Sequence, residues 1–183
     1  MKKFICTVLT VLLFFCNQLN ASEKNKIIEN LKKINSLQFD FTQLSSDGQE
    51  NGSCILIYPK KMRCIYDEQK KEIIINDDYL YLINKEANKN YNYSIKDTPL
   101  EVILDKKILI EKLSNIEKFD ITNNFVIAVV DISSTESVDI YFEPKSLTIL
   151  GWRIKNYEKS TLEFMMKNII VNVNSDEKFQ ILN

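Results

Sequence analysis

The chain predicts a mainly β, α+β fold: a single curved antiparallel sheet that forms an unclosed half-barrel covered by short helices. Three observations predict it. About ten short strand-like runs follow one another, short polar turns separate them, and only two segments carry helical signals. A parallel βαβ architecture needs a helix between successive strands, and the sequence does not supply those helices. A long antiparallel sheet twists and curls as strands are added, so helices are accommodated on its concave side.

The elements follow in order. Residues 23 to 35 place Ile27, Ile28, Leu31 and Ile34 at three- and four-residue spacing among charged positions, which predicts an amphipathic helix with Ser22 as its cap. The period then changes to two. Leu37, Phe39 and Phe41 alternate with Gln38, Asp40 and Thr42, so one face of a first strand is apolar and the other polar. Further strands are expected at 52 to 58, 62 to 67, 71 to 76, 79 to 84, 91 to 95, 125 to 131, 137 to 143, 147 to 158, 160 to 173 and 178 to 182. Pro59-Lys60, Asp67-Glu68, Asp77-Asp78, Ala87-Asn88, Asn123-Asn124, Ser133-Ser134, Glu143-Pro144 and Asn174-Ser175 punctuate them. The segment from Thr98 to about Leu113 breaks the pattern: Thr98-Pro99 offers a cap and a first-turn proline, and the V-I-L and I-L-I clusters predict one or two short helices.

The beginning of the chain addresses the compartment. Lys2 and Lys3 precede an apolar run from Phe4 to Cys16 and a small residue at Ala21, the layout of a secretory signal peptide over residues 1–21. The apolar run is shorter than the roughly 20 residues a membrane-spanning helix needs. Residues 22–183 are then expected to form one exported, periplasmic domain, a monomer.

Composition excludes several function classes. The net charge is −1, which gives no electrostatic footprint for nucleic acid. The lysine pairs Lys60-Lys61, Lys70-Lys71 and Lys106-Lys107 read as solvated turn residues. There is no histidine, which removes the usual Ser-His and Cys-His nucleophile activation, and the three glycines form no phosphate-binding loop. Acidic pairs such as Asp77-Asp78 fall in turns, where carboxylates are favoured for backbone reasons. No catalysis and no cofactor are expected.

Of four cysteines, Cys54 and Cys64 lie beyond the signal. A hairpin centred near Pro59 sets them opposite each other, within reach of a disulfide, and two buried thiols are the alternative. Two cysteines without histidine partners do not complete a zinc shell, so no metal site is expected.

The residues in order then resemble a known family. Phe39-x-Phe41-x-Gln43, Gly52, the Tyr58-Pro59 turn, Met62-Arg63-Cys64-x-Tyr66, Ile73 to Ile75, Leu80-Tyr81-Leu82, Thr98-Pro99-Leu100, Phe142-x-Pro144, Leu150-x-Trp152 and Phe179 together resemble the LolA family of outer-membrane lipoprotein carriers. That resemblance implies an apolar cavity between half-barrel and helices. It implies acylated lipoproteins, or free lipid, as cargo. It also implies transient membrane contact, an inner-membrane release complex and, where one exists, an outer-membrane receptor. A carrier of free lipid or glycolipid and a lipid-sensing regulatory domain are the alternative readings. Strand parity together with the resemblance nominates Phe39, Phe41, Ile55, Ile57, Cys64, Tyr66, Ile74, Tyr81, Val102 and Leu104 as cavity residues, and residues 23 to 35 and 98 to 113 as lids. The arginine that holds the lid in well-studied carriers corresponds to Tyr58 here, and the nearest cation, Arg63, is assigned the lid or head-group contact together with Tyr58.

Overall fold

The computed structural model describes residues 23–67, 70–156 and 161–174. The expected signal peptide at 1–21 and the expected last strand at 178–182, with Phe179, lie outside the described residues.

Eleven strands form one antiparallel sheet: β1 (Ser36–Ser45), β2 (Gly48–Ile57), β3 (Lys61–Tyr66), β4 (Lys71–Asn76), β5 (Tyr79–Asn84), β6 (Lys89–Ser94), β7 (Asp120–Ile121), β8 (Val126–Asp131), β9 (Glu136–Phe142), β10 (Ile149–Asn156) and β11 (Leu162–Val171). Their order across the sheet is β6-β5-β4-β3-β2-β1-β11-β10-β9-β8-β7. Two meanders are therefore joined along the β1–β11 ladder, and the outermost strands β6 and β7 do not pair with each other, so the barrel stays open.

Most element boundaries follow local chemistry. β2 starts at Gly48, four residues before the expected position, because Ser46-Asp47 close a tight hairpin in which Ser45 pairs with Gly48. β10 starts at Ile149 rather than 147, because the Glu143 carboxylate accepts from the Lys145 and Ser146 amides and holds a turn through Leu147. The two-residue β7 has too little pattern to be read from sequence.

Among the described residues, three helices cross the concave side. α1 spans residues 23–33 and stops short of the expected 35 because the Asn172 side chain donates to the Lys33 carbonyl (3.0 Å) and accepts from the Asn35 amide (2.7 Å). α2 (Pro99–Leu104) is capped by Thr98, and Glu101 reaches back to the Asp97 amide at 2.9 Å. α3 (Lys106–Asn115) is capped by Asp105, whose carboxylate accepts from the Lys107 and Ile108 amides; this cap divides the region into two helices.

The core lies between helices and sheet. Ladder parity puts Leu37, Phe39 and Phe41 on the same face as Leu56, Cys54 and Gly52, and these on the same face as Met62, Cys64 and Tyr66. Ile27 and Leu31 of α1, Ile103 and Leu104 of α2, and Leu109 and Leu113 of α3 complete one continuous cluster. On the other wing Ala128, Ile140 and Trp152 share this inner face.

Gly52 is required by the packing of Phe41. A methyl group at this position would lie 2.3 Å from the Ile65 carbonyl oxygen and 2.8 Å from the Phe41 ring. The absence of a side chain lets that ring meet Tyr66 at 5.0 Å and stack on Phe164 at 4.7 Å. Gly52→Ala is expected to cost about 2 kcal/mol, seen as a lower urea midpoint with an unchanged slope.

Candidate functional site

The inner face of the half-barrel is apolar from wing to wing. Phe39, Phe41, Cys64 and Tyr66 stand on it, and Val102 and Leu104 of α2 press onto it from the helix side. Trp152 stacks on Phe164 at 4.4 Å, and Phe164 meets Phe39 edge-on at 6.2 Å, so an aromatic floor runs across the β1–β11 seam. The space expected to be a cavity is occupied by the helices' own side chains, with Val102, Ile103 and Leu104 buried in the core cluster.

Four of the ten nominated cavity residues stand on the opposite face. The Cys54–Cys64 ladder position sets Ile55 against Arg63 and Ile57 against Lys61. Arg63 in turn pairs with Ile74, and Ile74 with Tyr81. Ile55, Ile57, Ile74 and Tyr81 therefore face away from the helices. The reason is register: β2 is apolar on both faces, and a one-residue choice exchanges every side chain between them. Ile57→Glu is accordingly expected to cost about 1 kcal/mol, far less than a carboxylate in the core, because the half-buried position lies on the outer face opposite the exposed Lys61; equilibrium unfolding in urea measures it.

Arg63 is likewise turned outward. Its Nε donates to Glu72 at 2.6 Å on the convex face, so it does not meet the helices. Beside it, Gln38, Ser53, Ile55, Ile65 and Asn174 line a groove of about 240 Å³. Tyr58 does lie at the helix layer. Its amide donates to the Asn35 carbonyl at 3.0 Å, its ring packs against the core, and Lys106 Nζ lies 5.7 Å from the ring centre. The Tyr58 phenol oxygen is buried without a hydrogen-bond partner among the described residues, and burial pushes its pKa up.

The cation that ties helix to sheet is Lys60, in the β2–β3 turn. Its ammonium donates to Glu101 at 2.7 Å and to Asp78 at 3.0 Å, and lies 3.9 Å from Asp105, the residue between α2 and α3. Its amide donates to the Leu104 carbonyl at 2.9 Å. The hydrogen bond to Glu101 chiefly raises the Lys60 pKa, and the same bond lowers that of Glu101. Sequence reading treats Lys60 as a solvated turn lysine. No signal along the chain marks it, because the carboxylates around it come from the β4–β5 turn and from a helix 41 residues away.

Two more lysines clasp α1 to α3. Lys24 at the start of α1 donates to the Ser114 and Ile116 carbonyls at the end of α3, both at 3.0 Å. Lys106 at the start of α3 donates to the Ile34 carbonyl beyond the end of α1, at 2.8 Å. The two helices thus run antiparallel, and each clasp satisfies carbonyls that a helix end leaves unpaired. Cys54 and Cys64 are joined by a disulfide directly beneath this layer.

At the end of the half-barrel away from the α2–α3 corner, a cavity of about 550 Å³ opens between the wings, lined by residues including Gln43, Glu50, Lys71, Glu136, Ile154 and Leu162.

A family model described as "Outer membrane lipoprotein carrier protein LolA" matches residues 32–182. No curated protein sequence matches the chain. Among solved structures, a DUF1329 family protein from Desulfovibrio piger aligns with TM-score 0.49 at 6% identity, covering 87% of this chain and 96% of that one. The LolA superfamily protein NE2245 from Nitrosomonas europaea aligns with TM-score 0.46 at 6% identity, covering 88% and 97%. The lipoprotein LppX from Mycobacterium tuberculosis aligns with TM-score 0.42 at 11% identity, covering 85% and 97%.

Proposed function

Because the chain belongs to the LolA family, a family with a binding and carrier fold, we propose that it is a periplasmic carrier. In this reading it takes up the acyl chains of lipoproteins at the inner membrane and delivers them to the outer membrane. The observation that carries the proposal is an apolar inner face closed by helices that are fastened at their edges by lysines.

The energetics suit reversible transfer. Each acyl methylene removed from water gains roughly 0.8 kcal/mol, so a multiply acylated anchor does not leave the membrane without an apolar host. Here the host is already filled. Cargo takes the place of Val102, Ile103 and Leu104, and its net affinity is the apolar burial of its acyl chains less the burial that the displaced helix side chains give up. A small difference lets the cargo leave at the far side. Phe39, Phe41, Cys64 and Tyr66 would form the acyl-contacting wall, α1 and the α2–α3 pair the lid, and Lys60 its latch. No step is covalent.

The test is extraction. Exported protein incubated with membranes holding a labelled lipoprotein is expected to yield a soluble one-to-one complex. Binding of free lipid without any lipoprotein complex would replace this reading with that of a free-lipid carrier.

A further inference from the structure

Tyr58 is oriented against the usual preference of its side chain. A tyrosine at the rim of a core ordinarily keeps its ring inside and its hydroxyl in water or on a partner. Here the residue as a whole is half-buried and its ring packs against the core cluster, yet the hydroxyl oxygen is buried and has no hydrogen-bond partner among the described residues. Native interiors almost always pair such a group, because an unpaired buried donor opposes the state that buries it. The same burial raises the phenol pKa, so the hydroxyl keeps its proton and is a neutral donor.

The position of this hydroxyl decides what can pair with it. Tyr58 continues the inner row of Cys54 and Leu56, just past the last ladder pair of β2 and β3, Ile57 with Lys61. Its turn also ties down the helix layer: the Tyr58 amide donates to the Asn35 carbonyl beyond α1, and the Lys60 amide to the Leu104 carbonyl at the end of α2. Lys106 stands 5.7 Å from the ring centre and gives its proton to the Ile34 carbonyl. A group entering between helices and sheet at this turn therefore meets a neutral donor at the head of an apolar row. From Tyr58 to Gly52 that row runs about 20 Å at the ordinary strand rise, the reach of a long extended fatty chain.

We infer that the Tyr58 hydroxyl donates to the carbonyl oxygen of a fatty acyl ester or amide laid along the β2 row, and so fixes how deep the chain is seated. The inference rests on the acyl-carrier reading above and adds a directional polar contact to an apolar site. An acyl carbonyl offers an acceptor, no donor and no charge, which is what a buried neutral donor complements. A carboxylate or phosphodiester at the same place would have to be desolvated with its charge. Because the empty, closed form leaves the hydroxyl unpaired, the bond is gained in full on loading.

The test compares ligands that differ at the carbonyl: a diacylated cysteinyl peptide with ester-linked chains, and its dialkyl ether analogue of equal chain length. Both are offered together to the exported protein, and native mass spectrometry counts each bound form. The unaltered protein is expected to favour the ester form about tenfold. Tyr58→Phe is expected to bring that ratio to about one by weakening ester binding alone. No preference in the unaltered protein, or a preference that Tyr58→Phe leaves in place, overturns the inference while the carrier reading stands. Diacyl and dialkyl phosphatidylcholine form a second pair: a Tyr58-dependent preference confined to them upholds the role of the hydroxyl and assigns the carbonyl to a free lipid. Uptake of neither pair overturns both readings. Tyr58→Phe keeps the ring and removes an unpaired donor, so its urea midpoint is expected at or above that of the unaltered protein. A lower midpoint would show that the hydroxyl is already paired in the closed form, and would overturn the inference.

Discussion

Lys60→Met is expected to weaken the closed form by about 2 kcal/mol and to raise the population of the lid-open form about 30-fold. The magnitude follows from what the substitution leaves behind. Lys60 and Glu101 are each only 16% exposed at the side chain, so loss of the ammonium strands Glu101 in a poorly solvated site facing Asp78 and Asp105. A surface ion pair would be worth far less. The helix that Glu101 sits on is six residues long and has little stability of its own, so the latch and the apolar contacts of Val102, Ile103 and Leu104 hold it in place. The measurements are binding of an environment-sensitive dye, expected to rise, and the rate of lipopeptide uptake, expected to rise with the open population. Unchanged dye binding and uptake would remove Lys60 from its role as latch.

The latch also predicts a pH response of definite sign. The Lys60 hydrogen bond lowers the Glu101 pKa from its ordinary 4.5, and it likewise lowers that of Asp78. A carboxylate with a depressed pKa stabilises the folded form above its ordinary pKa and loses that contribution as pH falls through the depressed value. The Lys60 pKa is raised from 10.5, so its contribution is intact below that value and is lost only as pH rises through the raised one. The stability gap between the unaltered protein and Lys60→Met is therefore expected to be constant near neutrality and to close as pH falls below about 4.5. Urea titrations across this range measure it, and a gap that persists to about pH 3 would mean that Glu101 is not the partner that matters.

Cys54→Ala/Cys64→Ala is expected to cost about 3 kcal/mol, roughly a hundredfold in the folding equilibrium. The bridge spans a sequence separation of 10, and closing a loop of that size in the unfolded chain accounts for most of the figure. Both sulfurs are buried beneath the helix layer, so the substitutions also leave a small void that adds to the loss. The bridge joins β2 to β3 two residues from the buried Leu56–Met62 pair. Its loss is therefore expected to loosen this part of the inner wall as well as to lower the urea midpoint. A loss below about 1 kcal/mol would show that the hairpin is already ordered by its ladder without the bridge.

The candidate site was partly legible from residue order. Leu37, Phe39 and Phe41 alternate with polar neighbours, so their shared face was evident, and the structure sets all three in the core. Cys54, Ile55, Leu56 and Ile57 carry no such alternation, and their faces depend on which residue stands opposite. The Cys54–Cys64 pairing contained the answer, because facing cysteines oblige Ile55 to oppose Arg63. That constraint also turns Arg63 away from the helices and leaves the latch to Lys60. The cavity between the wings was hidden for a similar reason: Gln43 and Glu50 come from the first hairpin, whereas Glu136, Ile154 and Leu162 come from the other wing, and the β1–β11 seam brings the two wings together.

Residue order alone sufficed for what depends on neighbours along the chain: alternating strands, the Thr98-Pro99 helix start and the polar turns. These are set by periodicity and backbone preference within a few residues. Which face of a doubly apolar strand meets the helices, which lysine ties α2 to the β2–β3 turn, and where the interior opens were decided by the folded sheet. Those properties are fixed by ladder register and by charges brought together across 41 residues, and neither has a local signature.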